Sequence, residues 1–156
     1  MTLTGLMLVF AIGTAQSVVP PGTVSAGADL QANLKKAIAD TPDAPMVVAR
    51  IESTDTTRVN LIHRTVPQNA IIHATGWEVH HVTDGTGTVV TGGRVVRSTG
   101  AGGERVAKIE DGSSRVVTAG DVVIIPGHTP HWWSDLETDI EYLIFRPDPD
   151  NRLPLK

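Results

Sequence analysis

The stretch AIIHATGWEVHHVTDGTG, residues 70–87, carries three of the chain's six histidines together with a tryptophan and a glutamate. A second cluster follows in GDVVIIPGHTPHWW, where His128 and His131 stand beside Trp132 and Trp133. Neutral imidazoles and a carboxylate are the ligands of borderline divalent cations, and imidazoles also move protons near neutral pH. The chain has no cysteine, so thiolate ligation, a disulfide framework and a thiol nucleophile are all excluded. Any metal must be held by histidine and carboxylate.

These residues sit in a pattern of short β-branched runs punctuated by Gly, Asp and Pro. From Met46 onward the runs are MVVARIE, RVNLIHRT, NAIIHA, EVHHVT, TVVTG, RVVRS, RVAKIE, SRVVT, DVVIIP and IEYLIFR. No helical stretch intervenes, which predicts an antiparallel all-β sandwich or barrel. On a regular strand Glu78 and His80 share one face, while Val79 and His81 point the other way. His73 ends the preceding run and can approach Glu78 on the inner face. His81 then faces solvent or an interface, and His63 reads as a structural histidine.

Before this region, ADLQANLKKAIAD places Leu30, Leu34 and Ile38 four residues apart, which predicts one short amphipathic helix, closed by TPDAP. Residues 21–45 are thus a linker and helix. The apolar run Leu3–Ala15 is too short to span a bilayer and suits a signal peptide within residues 1–20, so export and a mature protein without a membrane span are expected. The main domain covers 46–147, and PDPDNRLPLK supplies a surface tail over 148–156. With 156 residues and a net charge of -4, the chain suits a single domain without the basic face that nucleic acid requires.

Two spacings resemble the motifs of the cupin superfamily. His73, four residues, Glu78, six residues and Gly85 resemble the later part of the first cupin motif. Gly120, five residues, Pro126 and then His131 resemble the second, about 35 residues further on. The resemblance implies a jelly-roll β-barrel with a short N-terminal helix outside it and a site in the barrel mouth. It also implies His73, Glu78 and His131 as ligands of a divalent metal such as Fe, Mn, Zn or Ni.

The sequence departs from the motifs in three places. Ile71 stands where the first histidine is usual, His128 where a glycine follows the proline, and Asp135 where the closing asparagine falls; Gly127 is expected to serve the turn instead. His80 is one strand repeat from Glu78, about 6.6 Å, which favours a proton-transfer role over ligation. Catalysis is accordingly assigned to His80 and Glu78. Trp133, His128, Ile71 and Trp77 are the expected substrate contacts, and Tyr142 and Arg64 are polar neighbours whose facing is open.

The resemblance implies an enzyme of oxygenase, lyase or isomerase type acting on a small oxygenated molecule. The alternative is a non-catalytic small-ligand module whose metal site has degenerated. Cupins commonly cover exposed strand edges by pairing, so a homodimer is expected.

Overall fold

The computed structural model describes residues 21–147, except residue 55; the expected signal peptide and the 148–156 tail lie outside the described residues. One helix, α1 (Gly27–Asp40), precedes ten strands. These are β1 (Met46–Ser53), β2 (Thr57–Arg64), β3 (Glu78–Asp84), β4 (Thr86–Thr91), β5 (Arg94–Thr99), β6 (Arg105–Glu110), β7 (Ser113–Thr118), β8 (Val122–Ile125), β9 (His131–Leu136) and β10 (Ile140–Pro147). All pairings are antiparallel. A five-stranded sheet runs β1-β2-β10-β3-β8, a second runs β7-β4-β9, and β5-β6 forms a separate hairpin. Hydrogen bonding does not close around the molecule as one continuous cylinder.

Strand alternation builds a layered core. Ile62, Val82, Ile140 and Tyr142 of the larger sheet meet Val89, Val117 and Trp133 of the smaller one. On the outer side of the smaller sheet, Val90 and Trp132 pack under the β5-β6 hairpin with Ile109 and Ala70. On the outer side of the larger sheet, Leu34 of α1 packs against Val47, Ala49 and Leu61. The 3.6-residue period that aligns Leu30, Leu34 and Ile38 therefore buries one stripe of the helix on β1 and β2. Among the described residues, no helix is long and apolar enough to cross a membrane.

Two expectations about local structure are corrected. NAIIHA is not a strand: Ile71 makes an isolated bridge to His131, and the rest of residues 65–77 is irregular. Its two apolar residues in a row, Ile71 and Ile72, are both exposed, so no sheet face anchors a longer ladder. Conversely, HWWSDL, which is not among the β-branched runs, forms the strand β9 and begins it with His131.

The turn before β9 is also built differently from expectation. His128 itself adopts the left-handed conformation, at φ 62, where the motif usually has glycine. Gly127 instead serves close approach, because a Cβ there would lie 2.9 Å from the carbonyl oxygen of Gly76. Gly85, at φ 81, closes the β3-β4 turn, and a side chain there would run into the Asp139 carbonyl.

Candidate metal centre

The site forms where β3, β9 and β10 converge with the irregular segment before β3. Glu78 and His80 alternate inward on β3 with Val82, and His81 is exposed on the other face, as strand parity requires. His131 opens β9 and points inward with Trp133. His73 is delivered by backbone bonds rather than by a strand. Ile71 and His131 exchange N–H···O bonds of 3.0 and 2.9 Å, and the His128 N–H donates to the His73 carbonyl at 2.9 Å.

The result is a carboxylate surrounded by cationic or potentially cationic nitrogens. Glu78 Oε1 lies 3.1 Å from His73 Nε2 and 3.2 Å from Arg146 Nε. Its Oε2 lies 3.1 Å from His131 Nε2 and 3.2 Å from His80 Nε2. Burial alone would push the Glu78 carboxyl up, but its contacts with His131, His73 and His80 outweigh that and hold it well below the usual carboxylate range. Burial pushes His80 down, against the opposing pull of Glu78, which favours a neutral ring.

One ligand atom each from His73, Glu78 and His131 lie within 4.8 Å of one another, a group that could hold a metal ion. The hydrogen bonding of His131 fits that role. Its Nδ1 lies 3.1 Å from the Thr129 carbonyl, which places a proton on Nδ1 and leaves Nε2 as the nitrogen that can serve as a ligand when it is unprotonated. That Nε2 is buried, and what it faces is Glu78 Oε2 at 3.1 Å. A buried imidazole lone pair aimed at a carboxylate has no favourable partner unless a cation or proton lies between them. The donor set therefore suits a divalent metal.

A cavity of about 320 Å³ opens from this centre. It is lined by Ile71, His73, Glu78, His80 and His131, by Arg64, Gln68 and Tyr142, and by Met46, Ile62 and Ile144. Of the expected substrate contacts, Ile71 is on this wall. Trp133 is not: it is fully buried behind it, stacked on His80 at a ring separation of 6.2 Å and packed on Tyr142 at 5.1 Å. Trp77 is half exposed and His128 lies in the left-handed turn, both outside the lining. His63 sits on the outer face, 3.7 Å from Asp139 and 3.6 Å from Glu141.

Sequence reasoning missed Arg146. It follows Tyr142 and Ile144 on the inner face of β10, and the register that pairs Phe145 with Val79 puts it next to Glu78. Same-face alternation from Tyr142 was the available signal, but the pairing of β10 with β3 was needed to use it.

No protein-family model and no curated protein matches the sequence. Solved structures do match the fold. KdgF from a Halomonas species aligns over 71% of this chain and 88% of its own at 18% identity, with a TM-score of 0.51. An RmlC-like cupin with a double-stranded β-helix fold from Methanocaldococcus jannaschii aligns over 70% and 87% at 15% identity, TM-score 0.50. A mutant of salicylate 1,2-dioxygenase from Pseudoaminobacter salicylatoxidans aligns over 81% of this chain at 16% identity, TM-score 0.54, and this chain spans 35% of that longer protein. The class is thereby defined: an all-β jelly roll of the double-stranded β-helix type, with a cluster able to bind metal between its sheets. The chain is a cupin in fold.

Proposed function

We propose that this cupin is a divalent-metal-dependent enzyme acting on a small oxygenated organic molecule, with chemistry of the oxygenase, lyase or isomerase type. The observation that carries this reading is the convergence of His73, Glu78 and His131 at the head of a cavity, with His131 Nδ1 facing the Thr129 carbonyl and Nε2 turned toward Glu78. When bound there, the metal would supply Lewis-acid polarisation of a substrate oxygen or a binding place for dioxygen. The cavity, about 320 Å³ and walled in part by Met46, Ile62, Ile71 and Ile144, admits a molecule of modest size. His80, buried and bonded through Nε2 to Glu78, is the group placed to hold or pass a proton at the Glu78 oxygen. Salicylate 1,2-dioxygenase, an oxygenase by its name, supports an oxidative reaction among the three classes.

A second reading is favoured by Arg146. Its guanidinium already neutralises Glu78, and Ile71 replaces the first histidine of the motif, so the site could serve as a metal-free ligand pocket. Elemental analysis separates the two. The untagged protein is assayed for bound Fe, Mn, Ni and Zn, alongside Glu78→Ala. Near-stoichiometric metal that disappears in the variant supports the enzyme, whereas none in either protein supports the pocket.

Two further expectations belong to the same proposal. Pairing into a homodimer is supported by the free edge of β8 and by exposed Val122, Ile124 and Phe145 on the outer sheet face beyond α1. Light scattering that finds only monomer at high concentration removes it. Export is supported by the Leu3–Ala15 run alone, and N-terminal sequencing of the protein recovered from its native host tests it.

A further inference from the structure

Arg64 is 94% buried by its 6% exposure, yet it lines the cavity that opens from the metal cluster. It reaches inward from the end of β2, one alternation beyond Ile62. Its Nε donates to the Tyr142 hydroxyl at 3.3 Å, and one terminal nitrogen contacts Met46 Sδ at 2.8 Å. A neutral phenol and a thioether are weak acceptors for a permanently charged guanidinium. No carboxylate forms an ion pair with Arg64 among the described residues. Glu78, the carboxylate in the same cavity, is engaged instead by three histidines and Arg146.

A buried guanidinium without a counter-charge is costly unless something supplies one. The cavity is where that partner would have to come from. Tyr142 links the two ends: its hydroxyl accepts from Arg64 and so keeps its own O–H to donate, while its ring packs on His80 at 5.1 Å. Burial pushes the Tyr142 phenol up, which keeps that proton in place. Gln68 adds an amide to the same lining, and Met46, Ile62, Ile71 and Ile144 make the rest aliphatic.

We propose that Arg64 is the carboxylate anchor of this cavity, and that the substrate is a small monocarboxylic acid whose second oxygen function points toward His73, Glu78 and His131. The planar fork suits two-point binding of a carboxylate, with the Tyr142 hydroxyl as an adjacent donor. One uncompensated positive charge calls for one negative charge. A phosphate dianion would leave the aliphatic pocket with excess charge, and neither a helix N-terminus nor a glycine-rich cradle faces it. The naming of the second oxygen rests on the metal-enzyme reading; the anchor itself does not.

The test uses lactate, 2-oxobutyrate and benzoate as probes, each compared with its neutral primary amide at equal ionic strength by calorimetry and thermal shift. At least one acid is expected to bind the wild-type protein tenfold or more tightly than its amide, and Arg64→Gln is expected to lose that preference. Arg64→Lys keeps the charge without the fork and is expected to bind the same acid several-fold more weakly, which carries the test should Arg64→Gln fail to fold. Acids that bind no better than amides, or an undiminished preference in the folded Arg64 variants, overturn the anchor. Elemental analysis of the same samples keeps the two ideas apart. Acid preference without bound metal sinks the enzyme reading and leaves the anchor, and bound metal without acid preference does the reverse.

Discussion

At the scale of single residues, the two functional readings turn on what Glu78 faces. If a divalent cation is the working partner, Arg146 competes with it for Oε1 and repels it. Arg146→Met is then expected to raise metal affinity, by about tenfold, in the range over which groups adjoining metal ligands tune binding. If the site is metal-free, the same substitution removes an ion-pair partner of a buried carboxylate and destabilises the fold whatever cation is added. Chemical denaturation of Arg146→Met with and without Zn(II) distinguishes these outcomes. Protonation gives an independent check: protons compete with a cation for ligating imidazoles, so metal retention should fall as the pH is lowered. A metal titration from pH 8 to pH 5 reads this directly.

At the scale of elements, the turn into β9 holds a cost that substitution can recover. His128 sits at φ 62, and left-handed backbone costs an ordinary residue about 1–2 kcal/mol. His128→Gly is expected to stabilise the fold by about 1 kcal/mol or less, after the extra unfolded-state freedom of glycine is subtracted. Gly85→Ala has the opposite sign, losing at least about 2 kcal/mol, because φ 81 is combined with contact against the Asp139 backbone. Thermal melts of the two variants check both signs. Leu34→Ala is expected to cost about 2–5 kcal/mol, since it empties the contact that seats α1 on β1 and β2.

These elements also show what the sequence made legible. Period-2 runs such as EVHHVT and DVVIIP became strands because one face of each is buried, and the Leu30, Leu34, Ile38 stripe became the helix for the same reason. Residues 69–74 had strand-like composition, but strand formation is a property of continuous pairing, and among them Ile71 alone forms a β-bridge. HWWSDL lacked a β-branched run, yet β4 pairs with it from Gly87 to Thr91 across one irregularity at Thr88/Val89. The grouping of His73, Glu78 and His131 was legible from spacing, because motif order survives in the chain. Arg146 and the facing of Arg64 were not, since both depend on which strands lie side by side.

At the scale of the whole molecule, the three side chains that could hold a metal are unequally mounted. Glu78 and His131 belong to strands in two different sheets, so a cation shared between them would cross-link the faces of the sandwich. His73 rides on the long connection between β2 and β3, attached near the site by the Ile71 bridge and the His128 bond. Such a connection opens locally far more readily than paired strands do. The ion would thus act as a rivet through a hinged flap: adding Zn(II) should slow amide exchange and protease nicking around residues 68–76 while leaving the already rigid β3 almost unchanged. In this view the metal is a latch on its own doorway, and the protein's resistance to digestion becomes a gauge of site occupancy that needs no knowledge of the reaction.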